Sequence, residues 1–197
     1  MKKKLRLILM VCILISAMGS QAPALEQDKW TGNVNLIYGS KQLNEDDWKP
    51  IEKHQEYSLE IDLKHHNWPI SGTMGFSVSG AYDYHTVEDF NIGGITSESY
   101  IGIRKIWEPT SKIRPFIGAG LCRISAEVEA AVPGIKVSDK DNGTGMWYGG
   151  GVFITLSKHF NIGFNWRHSS AEVNLFNVGV EAGGTHTGLT TGYHWNF

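Results

Sequence analysis

The sequence predicts an all-β protein, an eight-stranded antiparallel up-and-down transmembrane β-barrel, on three observations. First, Leu189, Thr191, Tyr193, Trp195 and Phe197 alternate with Gly188, Thr190, Gly192, His194 and Asn196. That period of two is the repeat of a strand whose faces meet different environments. Second, the same alternation recurs in seven earlier segments. Third, the connections between the eight segments are alternately long and short, the pattern of a barrel with short turns on one rim and long loops on the other.

The elements follow in order. Lys2, Lys3, Lys4 and Arg6 precede an apolar run from Leu7 to Ala17 that is too short to span a bilayer comfortably. Ala22-Pro23-Ala24 supplies small residues for cleavage, so residues 1–24 read as a secretory signal peptide and residues 25–197 as the barrel. Cys12 invites a lipoprotein reading, but the apolar run continues through Ile13, Leu14 and Ile15.

The first strand carries Val34, Leu36 and Tyr38 on its apolar face. The second sets Tyr57, Leu59, Ile61 and Leu63 against Ser58, Glu60, Asp62 and Lys64. The third sets Met74, Phe76, Val78 and Tyr82 against Thr73, Gly75, Ser77, Ser79 and Ala81. The fourth shows Ile101 and Ile103, the fifth Ile113, Ile117, Ala119 and Leu121, and the sixth Met146, Tyr148, Val152, Ile154 and Leu156. In the seventh, Ile162, Phe164 and Trp166 oppose Asn161, Gly163, Asn165 and Arg167. The segment from Gly184 to Phe197 is the eighth.

Short turns are expected around His66-Asn67-Trp68-Pro69, Glu108-Pro109-Thr110 and Ser157-Lys158-His159. Long loops are expected at about Ser40 to Gln55, His85 to Ser97, Ser125 to Gly143 and Ser170 to Gly183. With this topology Trp30, Trp68, Trp107, Trp195, Phe160 and Phe197 fall at the periplasmic ends. Tyr57, Tyr82, Tyr84, Trp147 and Tyr148 fall at the external ends, giving two aromatic belts. A soluble lipocalin-like barrel shares the topology, but its outward face should be polar.

Composition narrows the function classes. The signal holds four of the 18 Lys+Arg and none of the 20 Asp+Glu, leaving 14 against 20 and a net charge of −6. With no basic run, that balance argues against a nucleic-acid partner. Only Cys122 remains after cleavage, so no internal disulfide forms in an oxidising compartment. Mean hydropathy is slightly negative, which a membrane protein tolerates when its spanning elements are half polar.

An alternating strand that finishes in Phe197 resembles the C-terminal assembly signal of bacterial outer-membrane barrels, and the chain as a whole resembles small eight-stranded members of that class. The resemblance implies export by the general secretory route, insertion by the barrel-assembly machinery, and a place in the outer membrane among its lipids and lipopolysaccharide. It does not specify an activity.

Eight strands enclose a space that side chains fill. Glu60, Asp62, Lys64, Arg104, Arg114 and Arg167 on inward faces are therefore expected to form a mutually neutralising plug, which argues against a general diffusion porin but leaves a narrow channel open. A second candidate lies on the outer wall. Continuing the outward face of strand seven past Trp166 gives His168 and Ser170, and a hairpin turning near Phe176-Asn177 returns Glu181 towards them. Histidine, serine and carboxylate on one patch are the parts of a serine hydrolase. The arrangement resembles the lipid A deacylase (acyloxyacyl hydrolase) family through His168-Ser169-Ser170 and, more loosely, Asn177-Val-Gly-Val-Glu181. The resemblance implies Ser170 as nucleophile, His168 as base and Glu181 as its orienting acid. Two departures stand out: Ala171 replaces the asparagine that usually follows the serine, and a Gly183-Gly184-Thr185-His186 stretch follows soon after Glu181, leading into the last strand.

Other motifs carry less. No spacing brings three histidines onto one face, and His186 and His194 lie about 27 Å apart along a strand, so no metal site or cofactor is expected. Gly149, Gly150 and Gly151 lack the Lys-Ser/Thr and helix of a phosphate loop and read as small residues in a bending strand. Asn142-Gly143-Thr144 matches a glycosylation acceptor but reads as a bare loop end. The expected role is structural or surface-interacting in the cell envelope, without intrinsic catalysis, with lipid A deacylation and a narrow channel as the alternatives.

Overall fold

The structure, a computed structural model, describes residues 30–44, 48–85, 90–108, 112–132 and 135–196. The signal peptide expected at 1–24 and the terminal Phe197 lie outside these residues. Eight strands close into one antiparallel barrel: β1 (Trp30–Leu43), β2 (Lys53–His65), β3 (Ser71–His85), β4 (Phe90–Ile106), β5 (Ile113–Val132), β6 (Ile135–Thr155), β7 (Phe160–Ser170) and β10 (Gly184–Asn196). Between β7 and β10, β8 (Glu172–Leu175) and β9 (Val178–Glu181) form a separate hairpin. The barrel order is β1-β10-β7-β6-β5-β4-β3-β2, each strand beside its neighbour in sequence except for the inserted hairpin. β1 and β10 seal the cylinder in a register from Thr31 opposite Asn196 to Leu43 opposite Gly184.

Alternation in the sequence becomes alternation in exposure. In β2, Tyr57, Leu59 and Leu63 are exposed on the outer wall while His54, Glu56, Ser58, Glu60 and Asp62 are buried in the lumen. The inverted pattern, apolar outside and polar inside, fits a wall bathed in lipid. At the periplasmic rim Trp30 packs edge-on against Trp68 at 5.6 Å, and Phe160 against Tyr193 at 5.6 Å. On the external side Tyr38 meets Tyr57 at 5.1 Å and Tyr148 meets Trp166 at 5.7 Å.

Two expectations are corrected. Trp147 is not in the external belt: it is 2% exposed and points into the lumen. Its neighbours Met146 and Tyr148 face outward, so the pleat turns it in. Room comes from glycines across the wall. A Cβ on Gly102 would sit 2.8 Å from Trp147 Cζ2, and one on Gly120 would sit 2.8 Å from Trp147 Nε1. The indole N–H donates to the Ile101 carbonyl at 3.2 Å.

The second correction concerns loops. Most of His85–Ser97 and Ser125–Gly143 is strand, because β4 begins at Phe90 and the β5–β6 hairpin continues to Val132 and Ile135. The acidic and basic residues that read as loop are cross-strand partners: Glu127 with Lys140 at 3.5 Å, and Glu129 with Lys136 at 2.8 Å. On the opposite face Ile124 and Ala126 are fully buried. The hairpin therefore stands above the barrel as a two-stranded wall.

The β8–β9 hairpin leans on that wall. Its two-residue turn, Phe176-Asn177, has φ of 53° and 63°, the positive values of a type I′ turn. Amides of Asn174 and Phe176 donate to Asp141 and Asp139 of β6 at 2.7 and 2.6 Å. Its inner face, Val173, Leu175 and Val180, joins Leu43, Trp48, Ile51, Ile124 and Ala126 in an apolar cluster over the barrel mouth. Trp48 locks the lid by donating its indole N–H to the Glu181 carbonyl at 2.8 Å.

Candidate functional site

The lumen below this lid is filled by charge, in tiers. At the periplasmic mouth Thr31, Asn33, Lys64, His66, Glu108, Arg114 and His194 line a cavity of about 370 Å³. Its floor is Asp62. Above it Arg104 spans two carboxylates, donating from Nη2 to Glu60 at 2.7 Å and from Nη1 to Asp62 at 3.0 Å. The guanidinium also lies over the Phe116 ring at 4.4 Å. Tyr100 donates its hydroxyl to Glu60 at 3.0 Å and lends its face to Arg167 at 4.0 Å.

The next tier gathers Arg167, Glu56, Glu98, His186 and Ser169, all less than 6% exposed. Arg167 Nη2 lies 3.6 Å from both Glu56 and Glu98. His186 sits between the same two acids, its Nδ1 against Glu56 and its Nε2 3.3 Å from Glu98. Ser169 Oγ donates to Glu98 at 3.0 Å and is 3.0 Å from His186 Nε2. Lys41 closes the stack, bonding the Ala182 carbonyl at 2.9 Å and Thr96 at 3.2 Å, with Glu98 4.0 Å away.

Of the six inward charges expected from the sequence, Arg104, Glu60, Asp62 and Arg167 are buried in this network. Lys64 and Arg114 line the vestibule, Arg114 facing Glu108 at 3.4 Å. The sequence reading did not assign Lys41, Glu56, Glu98 or Ser169 to it. Their signal was available: each lies on the continuation of an inward face, Glu56 two turns of the pleat before Glu60 and Glu98 three before Arg104.

On the outer wall, Ser170 and Glu181 meet: Ser170 Oγ donates to Glu181 Oε2 at 3.0 Å. Glu181 Oε1 is also engaged, accepting from the amides of Ala171 and, at 2.9 Å, Gly183. His168 is not bonded to either. Its Nδ1 is 3.2 Å from Thr185 Oγ1, and its ring packs against Tyr148 at 5.2 Å. The three residues share one patch, but the histidine does not bridge the serine and the carboxylate as general-base chemistry requires. Among the described residues no group of three or more His, Cys, Asp or Glu could hold a metal ion.

Comparison with known proteins bears on the fold. Residues 10–197 match the family model described as the outer membrane protein beta-barrel domain. No curated protein matches the chain. Solved structures that share its architecture include three outer-membrane proteins. One is Ail, the attachment invasion locus protein of Yersinia pestis, in complex with the heparin analogue sucrose octasulfate: 15% identity, 85% of this chain and 99% of that chain covered, TM-score 0.60. Another is a major outer membrane protein of Thermus thermophilus, with 8% identity, 85% and 99% coverage and a TM-score of 0.59. OprG of Pseudomonas aeruginosa has 9% identity, 87% and 98% coverage and a TM-score of 0.50. At these identities the likeness is one of fold.

Proposed function

Because the chain belongs to the outer membrane protein β-barrel domain family and is an integral protein of the bacterial outer membrane, we propose that it is a closed, non-conducting, non-catalytic barrel. Its role is to hold a folded surface platform on the cell envelope. The observation that carries this reading is the stack of buried ion pairs under an apolar lid. A solute crossing the lumen would have to separate Arg104 from Glu60 and Asp62, Arg167 from Glu56 and Glu98, and Trp48 from Glu181. Each separation leaves a buried charge or polar group unpaired. The platform is the β5–β6 wall with the β8–β9 hairpin, an ordered surface for a partner outside the cell. The reading is tested by single-channel recording in planar bilayers. No stepwise conductance is expected; conductance that changes in Arg104→Ala would overturn it and make the barrel a channel.

A second reading rests on the Ser170–Glu181 hydrogen bond and on His168 sharing their face. It is hydrolysis of lipid A acyl esters by Ser170, with His168 as base and Glu181 as its orienting acid. This chemistry requires His168 to leave Thr185 and enter between Ser170 and Glu181. Fatty acid released from lipid A by the wild type and lost in Ser170→Ala would establish it.

A further inference from the structure

The outer wall has a second polar spot, on β4, β5 and β6; its apolar foot borders Ser170, which pairs with Met146 across β6 and β7, but its polar head is unused by either reading above. Arg123 is exposed there, facing the lipid side with Ser99 opposite it on β4 and Thr144 opposite it on β6. Immediately below, Ile101, Leu121 and Met146 are 60%, 62% and 66% exposed. Together these residues line an open hollow of about 600 Å³. Its long axis runs from a cationic, hydroxyl-bearing head to an apolar foot.

Three observations say what fits. The nearest acids on the same outward face of β5, Glu127 and Glu129, are matched to Lys140 and Lys136, and no ion pair among the described residues uses Arg123. Among the described residues its charge is thus uncompensated. Arg123 lies ten residues along β5 from Ile113 at the periplasmic end, which for a strand tilted by about 40° is a height of about 25 Å, one hydrocarbon thickness. The guanidinium therefore stands at the headgroup level of the outer leaflet, and the apolar foot at the level of its acyl chains.

We propose that this hollow binds a phosphorylated acyl lipid of the outer leaflet. The phosphate is held by the planar donor fork of Arg123 with the hydroxyls of Ser99 and Thr144, and an acyl chain lies along Ile101, Leu121 and Met146. Guanidinium is suited to this task because its paired N–H groups match phosphate oxygens and it is weakly hydrated.

The test is native mass spectrometry of the refolded barrel in uncharged detergent, titrated with lipid A, with dephosphorylated lipid A, or with inorganic phosphate alone. Lipid A is expected to be retained at least about tenfold more than its dephosphorylated form, and inorganic phosphate not to be retained. Arg123→Gln is expected to lower lipid A to the dephosphorylated level, while Arg123→Lys keeps part of the preference. Heat-modifiable gel mobility verifies that each variant is folded. Equal retention of the two lipids, unchanged retention in Arg123→Gln, or phosphate binding as strongly as lipid A would overturn the proposal. None of these results depends on conductance or ester hydrolysis, so the proposal and the reading of the barrel as closed stand or fall separately.

Discussion

Two serine–histidine–glutamate sets meet at strand β7, their serines adjacent in sequence and facing opposite sides of the same wall. Inside, Ser169 touches His186, which touches Glu56, the connectivity of a hydrolytic triad. Outside, Ser170 bonds Glu181 directly while His168 turns to Thr185. The inner set has the order of contacts but no access, since Ser169 is fully buried and directs its hydroxyl proton to Glu98. The outer set has access but not the order. The two sets thus separate order of contacts from access, and ester hydrolysis needs both at one serine. In the lumen the same groups serve a different end, neutralising Arg167.

That contrast predicts a graded response to substitution. The largest effect is expected for Arg167→Ala, which strands Glu56 and Glu98 in the lumen; a loss of about 3–5 kcal/mol should appear in denaturant unfolding of the refolded barrel. Ser169→Ala, which removes a bond to Glu98 and a contact with His186, should lose about 1–3 kcal/mol by the same measurement. Ser170→Ala removes one exposed bond and should lose less than about 1 kcal/mol. If Ser170→Ala proved more damaging than Ser169→Ala, the distinction between a structural inner set and a peripheral outer one would collapse.

The smallest expected effect lies at the platform and depends on pH. Amides of Asn174 and Asn142 hold the exposed Asp141 carboxyl below its ordinary value. A depressed carboxylate contributes docking that is present above its unfolded pKa and is lost as pH falls through the folded one. The Asn174 amide should therefore stay protected from hydrogen exchange at neutral pH and into the ordinary carboxylate range, and lose protection only below it. Asp141→Asn should weaken that protection at neutral pH and abolish its acid dependence.

The strands were legible in the sequence because a wall between lipid and a packed lumen imposes strict alternation, and β2, β3, β7 and β10 obey it with few exceptions. The turn at Phe176-Asn177 was legible as well. The β5–β6 extension was not, because above the membrane the outward face has no lipid to meet. Glu127, Glu129, Lys136 and Lys140 are then ordinary for a strand and for a loop alike. The lumenal network was half legible. Alternation gives the direction of Glu56, Glu98 and Arg167, but their meeting depends on closure, which joins residue 56 to residue 186 and residue 98 to residue 169. Trp147 shows the same limit at one position: its type suggests a membrane interface, but its parity, between Met146 and Tyr148, sends it inside.

The seam between β1 and β10 also bears on biogenesis. Every other barrel pairing joins strands that leave the ribosome close together, with only the short β8–β9 hairpin between β7 and β10, whereas this one joins the first strand made to the last. Until β10 is available, β1 and β7 each present an unsatisfied row of amides and carbonyls, which hydrocarbon penalises heavily and which invites pairing with other chains. Partial barrels are therefore poor stopping points, and insertion is expected to behave as a nearly all-or-none event with its slowest contact at the seam. A chaperoning template that covers those two edges until they meet would answer that demand.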